Sequence, residues 1–218
     1  MRLPVNTVIH TTLVGLEPTT SRSLVRRATT QIDAACAIFR HQHLDIQGLQ
    51  SPLLSQIGGL SPQRDRNCPV VQIHRLTIGH WLTSLRVPNP SQIDVLDSLR
   101  NPRLHLQQIR DQLMSMFPDC TPNLDWFVQF PTCSLQPCNS VDCGVFAIAF
   151  ATDLCLGNDP ASLRYIRRCH MRAHLLECLR LGFSGSWSSL TKSNCSATKL
   201  EFSCSLCRML LEMTAGHI

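Results

Sequence analysis

The run Val145-Phe146-Ala147-Ile148-Ala149-Phe150-Ala151 is apolar on every side of a helical wheel. A helix built from it has no face to give to water and must lie at the centre of a core. Residues Asp142 to Leu156 are therefore expected to form a buried central helix, closed by Gly157 as the left-handed cap residue. A chain of 218 residues, 44% hydrophobic and 16% charged, can build one sizeable core around such a helix.

Other elements follow from their periodicity. Ile32, Ala35, Ile38 and Phe39 fall at helical spacing, which predicts a first helix over Gln31 to His43 with Thr30 as its cap. Val70 to Leu76 has the β-branched, apolar character of a strand, after a Ser-, Gly- and Pro-rich linker from Ser51 to Pro69. Trp81 to Leu85 and Ile93 to Leu96, separated by the turn-forming Pro88-Asn89-Pro90-Ser91, predict a hairpin ending at Asp97. Leu106, Ile109, Leu113, Met116 and Phe117 mark an amphipathic helix closed by Pro118, and Trp126 to Phe130 returns as a strand. A last helix is predicted to start with Asp159 as cap and Pro160 at the first helical position, with Leu163, Ile166, Ala173, Leu176 and Leu179 as its apolar residues, and to end near Gly182.

Composition removes several classes. No apolar run approaches the roughly 20 residues needed to cross a bilayer, so no membrane partner is expected. The first residues, Met1 to Leu16, are broken by Asn6, Thr7, His10, Thr11 and Thr12 and lack a secretory h-region, and the twelve cysteines are scattered. Reduced thiols and an intracellular setting, nucleus or cytoplasm, are expected. The formal charge of +5 does not by itself imply nucleic acid.

Cys143 is the residue with the most chemistry in prospect, because it opens the central helix. A helix N-terminus presents unpaired N–H groups and roughly half a positive charge, which stabilises a thiolate. The same N–H groups, that of Cys143 included, suit the oxyanion formed when a thiolate attacks a carbonyl, and Gly144 would keep the approach uncrowded. Taken alone, Cys143 reads as a small buried residue, His80 as a strand-end histidine satisfied by a carbonyl, and Asp97 as a turn-former before Ser98.

Together, Gly79-His80-Trp81-Leu82-Thr83, Val95-Leu96-Asp97-Ser98-Leu99 and Asp142-Cys143-Gly144 resemble the His-Trp, Asp-Ser-Leu and Asp-Cys-Gly signature of the ubiquitin-like-protein-specific cysteine proteases, in the same order. The resemblance covers roughly residues 31–183. It is closest to shortened versions associated with mobile elements, where phrases like Cys143-Gly144-Val145-Phe146-Ala147-Ile148-Ala149-Phe150-Ala151-Thr152 recur. It implies an α+β, papain-like fold with a mixed β-sheet packed against the buried central helix, and a Cys143, His80 and Asp97 triad acting as nucleophile, base and orienter. It further implies a ubiquitin-like protein or its conjugate as substrate, peptide or isopeptide hydrolysis as the reaction, and no cofactor. A monomer is expected. Trp81 is assigned to packing beside the site, since an indole offers area and one donor but no acid–base function.

The family's glutamine six residues before the nucleophile, whose amide completes the oxyanion hole, corresponds here to Pro137. The nearest glutamine is Gln136, which a one-residue slip brings into place and a fixed Pro137 can equally aim away. Losing one such donor costs about 100- to 1,000-fold in rate. A catalytically weak remnant that only binds a ubiquitin-like protein, or a degraded transposon-derived fragment, is the alternative reading.

Residues 1–30 read as a poorly ordered leader, and 184–218 as a tail. In the tail, Cys204-Ser205-Leu206-Cys207 resembles the first knuckle of a PHD-type zinc finger, with only Cys195 and His217 near enough in sequence to complete four ligands, so no metal site is expected. His41 with His43, and His170 with His174, lack a third ligand and read as surface histidines. Arg164, Arg167, Arg168, Arg172 and Arg180 read as a solvated helix face rather than a nucleic-acid interface.

Overall fold

The structure is a computed structural model that describes residues 21–57, 59–63, 65–77, 79–88, 92–99, 102–118, 127–137, 140–165, 168–182 and 187. Its elements in chain order are α1 (Ser21–Gln42), β1 (Gln47–Gly48), a 3-10 turn (Leu54–Gln56), β2 (Val70–Arg75), β3 (Trp81–Arg86), β4 (Gln92–Leu96), α2 (Pro102–Met116), β5 (Phe127–Gln129), α3 (Cys143–Cys155) and α4 (Arg168–Leu181). The five strands lie side by side in chain order. β3 runs antiparallel to β2 and β4 on either side of it, while β1 is parallel to β2 and β5 parallel to β4, so the sheet is mixed.

Both faces of the sheet are covered, and the strand sequences alternate accordingly. Val71 and Ile73 of β2, with Trp81 of β3 and Leu96 of β4, join the core formed with α1, α3 and α4. Val70, Leu82, Ile93 and Val95 point the other way, onto Ile109, Leu113 and Met116 of α2. This two-faced burial leaves the strands without the polar alternation of a sheet that has a wet side. The central helix is as the sequence predicts: Phe146 through Asp153 are all buried, and Gly157 adopts the left-handed conformation at φ 76°.

Three expectations need correction. The first helix begins at Ser21, not after Thr30, so residues 21–30 are helical rather than part of a leader. Its buried side chains include Thr29, Ile32, Ala35, Cys36 and Phe39, of which the polar Thr29 escapes a search for apolar spacing. The last helix begins at Arg168, not at Pro160. Asp159 does accept the Ala161 N–H at 2.9 Å and Ser162 folds back on the Asp159 carbonyl, but only a turn results. The chain then departs because tertiary contacts take it: Ser134 Oγ donates to the Leu163 carbonyl and accepts the Tyr165 N–H, and the Tyr165 hydroxyl donates to Asp153 at 2.6 Å. Finally, Trp187 is buried in the main core, edge-on to His174 at 4.8 Å, so packing continues past the expected boundary at residue 183.

The segment read as a linker also carries structure next to β1. Gly48 has φ 85°, and a Cβ there would meet the Val71 carbonyl oxygen at 2.2 Å, so only glycine fits this close parallel pairing. Gln50 and Gln72 then exchange amide and backbone hydrogen bonds at 2.9 and 3.0 Å, which fixes the loop to the sheet. Trp126, the turn residues Asn89 to Ser91, Ile166, Arg167 and the zinc-knuckle-like Cys195, Cys204, Cys207 and His217 lie outside the described residues. Among the described residues, no helix is long and apolar enough to cross a membrane.

Candidate active site

His80 stands immediately before β3, and Asp97 immediately after β4. Because these strands pair antiparallel with Thr83 opposite Leu96, the two residues emerge at the same end of the sheet. The turn before His80 is set by Gly79 at φ 82°, whose N–H donates to the Leu76 carbonyl while the Leu76 N–H donates to the His80 carbonyl. Cys143 is the first residue of α3. That helix is pinned to β3 by the buried Thr83 hydroxyl, which donates to the Ala147 carbonyl at 2.8 Å. Thr83 is three residues beyond His80 and Ala147 one helical turn beyond Cys143, so this bond sets the helix end beside the imidazole.

The three residues predicted as a triad converge. His80 Nε2 and Asp97 Oδ1 are 2.7 Å apart, with both side chains only 3% exposed. The same Asp97 oxygen accepts the Leu99 N–H at 2.8 Å, which fixes the carboxylate's rotation. Burial is the largest single influence on the imidazole and would lower its pKa. Hydrogen bonds to Asp97 and to the Cys143 thiol, with the charges of both, outweigh it and raise the value from 6.5 to about 9. Cys143 itself is half-buried and in no disulfide.

Gly144 serves packing rather than an open approach, which corrects the sequence expectation. A Cβ on it would meet Ile32 at 3.3 Å and the Trp81 indole at 3.5 Å, so α3 starts in close contact with both. Trp81 is 3% exposed and packs beside the site as expected, with the Arg75 guanidinium 5.6 Å from its ring centre.

Gln136 is buried and braces two loops. Its Oε1 accepts the Ser98 hydroxyl at 2.8 Å, its backbone N–H donates to the Ser98 carbonyl at 3.0 Å, and one Nε2 hydrogen goes to the Ser140 carbonyl at 2.8 Å. The loop after Asp97 is thus tied to the loop before Cys143. Replacing Gln136 with alanine strands the Ser98 hydroxyl and the Ser140 carbonyl, so it is expected to lower stability by about 1–3 kcal/mol. Urea unfolding midpoints of the two proteins would measure it; an unchanged midpoint would mean the brace carries no load.

Two further residues support the nucleophile turn in ways that no local sequence pattern shows. Ser98 reads only as a turn residue until its bond to Gln136 is seen. Arg172 reads as a solvated helix charge, yet its Nε donates to Asp142 Oδ1 at 2.8 Å, with Asp142 only 1% exposed. Arg180 does follow the expectation, paired with Glu177 on an exposed face. His170 is exposed, whereas His174 is half-buried: it contacts Trp187 and lies 3.5 Å from the Cys178 sulfur. Among the described residues, no three His, Cys, Asp or Glu side chains are arranged to hold a metal.

Solved structures share this arrangement of elements. The C-terminal protease domain of Ulp1, in complex with Smt3, the yeast ortholog of SUMO, matches with a TM-score of 0.51 at 16% identity, over 70% of this chain and 76% of that one. A structure of the SUMO protease Ulp1 with its catalytic cysteine oxidised to a sulfonic acid matches at 0.54 and 18% identity, over 69% and 75%. The fold is that of the Ulp1 protease domain. This is the α+β, papain-like architecture that the sequence resemblance implies, with the mixed sheet against the buried α3. No protein-family model matches the chain, and no curated protein matches it by sequence.

Proposed function

We propose that this chain is a cysteine-type peptidase or isopeptidase of the SUMO-protease kind, acting on a ubiquitin-like protein precursor or conjugate. The observation that carries the proposal is the buried His80–Asp97 pair at 2.7 Å, set against a half-buried thiol at the start of α3. Asp97 holds His80 with Nε2 protonated, which turns Nδ1 toward the nucleophile. His80 takes the Cys143 proton, and the thiolate attacks the carbonyl carbon of the scissile bond. The oxyanion is received by the Cys143 N–H and by the Nε2 hydrogen of Gln136 that Ser140 does not use. The imidazolium then gives its proton to the departing amine, leaving a thioester that water hydrolyses with His80 as base. None of these steps requires a cofactor.

A second reading is favoured by one observation. The Gln136 amide is engaged with Ser98 and Ser140, and Pro137 follows it, so the protein instead binds a ubiquitin-like protein without turning it over. Labelling with a panel of ubiquitin-like proteins carrying C-terminal electrophiles separates the two. An adduct that disappears in Cys143→Ala supports the peptidase. Absence of any adduct from folded protein supports the binding remnant.

A further inference from the structure

Asp142 precedes the nucleophile and occupies the N-cap position of α3, where an aspartate normally turns its carboxylate onto the first-turn N–H groups. Here it makes no such side-chain bond. Its carboxylate is instead held by Arg172 of α4, through Nε at 2.8 Å and through Nη2 to the same oxygen. Asp142 is 1% exposed and the arginine side chain 29%, so the acid is enclosed and the base reaches it from the rim. A buried carboxylate next to a reactive cysteine works against that cysteine in two ways. Its charge opposes a thiolate and an oxyanion, and its oxygens compete for the N–H groups at the helix start.

We infer that Arg172 is a positioning residue for Cys143: by holding and neutralising the Asp142 carboxylate, it keeps the start of α3 open for a thiolate and an oxyanion. The inference rests on the active-site reading above. Among the described residues, the charged groups near this turn include His80, paired with Asp97, and Arg75 over the Trp81 ring that Gly144 packs against. Arg172 reaches the residue adjoining the nucleophile from α4, a separate element from those that carry His80, Asp97 and Cys143.

The test is the rate at which iodoacetamide alkylates Cys143, followed by mass spectrometry of its peptide as a function of pH, in the whole chain. In Arg172→Gln, the midpoint of the profile is expected to move to higher pH, and turnover or adduct formation to fall by roughly 100-fold, the usual scale for a displaced reactive group. Arg172→Lys keeps the charge and should restore much of the profile. Asp142→Asn combined with Arg172→Gln removes the charge that needs neutralising and should recover part of the shift. It also replaces the ion pair with a neutral hydrogen-bonding pair should the single variant fail to fold. A profile in Arg172→Gln that superimposes on the parent's, or a double variant shifted as far as the single one, overturns the inference. His80→Ala separates the two levels: loss of neutral-pH reactivity there but not in Arg172→Gln overturns this inference alone, and unchanged reactivity in both overturns the active-site reading with it.

Discussion

Turnover of a ubiquitin-like substrate is expected to fall by roughly 10⁴-fold when His80 is replaced by alanine, the upper range for loss of a general acid–base group. Two steps fail together: no base takes the Cys143 proton, and no acid protonates the leaving amine. The same residue sets the alkaline limit. With its value raised to about 9, the imidazole holds the proton taken from Cys143 across neutral pH and loses it as pH rises through that value, leaving no acid for the leaving amine, so turnover should decline there. The raised value also fixes the stability sign: what the His80–Asp97 pair contributes to folding is full below the free value of 6.5 and is lost as pH rises through about 9. A steady-state pH profile of the parent beside His80→Ala checks both. A residual rate within tenfold of the parent would remove His80 from the chemistry.

Acid is expected to weaken the fold through a second histidine. His74 of β2 has no exposure; its Nδ1 donates to Gln112 Oε1 of α2 at 2.8 Å and its Nε2 accepts the Ser84 hydroxyl at 2.7 Å. Burial outweighs the Gln112 hydrogen bond and lowers its value from 6.5 to about 4. A histidine held neutral in the fold but free to protonate when unfolded contributes stability that is full above pH 6.5. That contribution is lost as pH falls toward about 4, some 3 kcal/mol over the interval. Asp153, whose own value is raised chiefly by burial, works in the opposite sense. Urea unfolding at pH 7 and pH 4.5 measures the loss. If His74→Leu, though less stable at both, loses as much between the two pH values as the parent, another group is responsible.

Much of this was legible because local pattern and tertiary fate agree. The all-round apolarity of Val145 to Ala151 can only mean enclosure, and α3 is found within a residue of its predicted start and end. The β3–β4 hairpin and α2 were visible for the same reason. Agreement fails where packing overrules pattern. Pro160 offers a good helix start, yet Ser134 and Asp153 draw the following residues into other bonds. Thr29 is polar but buried, and β1 is two residues long, too short to carry a period. In the site, Cys143, His80 and Asp97 were legible through their neighbours in sequence. Their supports were not: Ser98 meets Gln136 across 38 residues, and Asp142 meets Arg172 across 30, with no local pattern linking either pair.

The order of the sheet has a consequence for how this protein matures. The antiparallel pairs β2–β3 and β3–β4 are joined by short loops, 76–80 and 87–91, so the middle of the sheet can zip up at low entropic cost and early. The Thr83–Ala147 bond that seats α3 spans 64 residues and closes a far longer loop. On that account His80 and Asp97 can meet well before Cys143 reaches them. A chain caught partway through folding carries the Cys143 thiol apart from the His80 imidazole, and their juxtaposition belongs to the finished molecule alone.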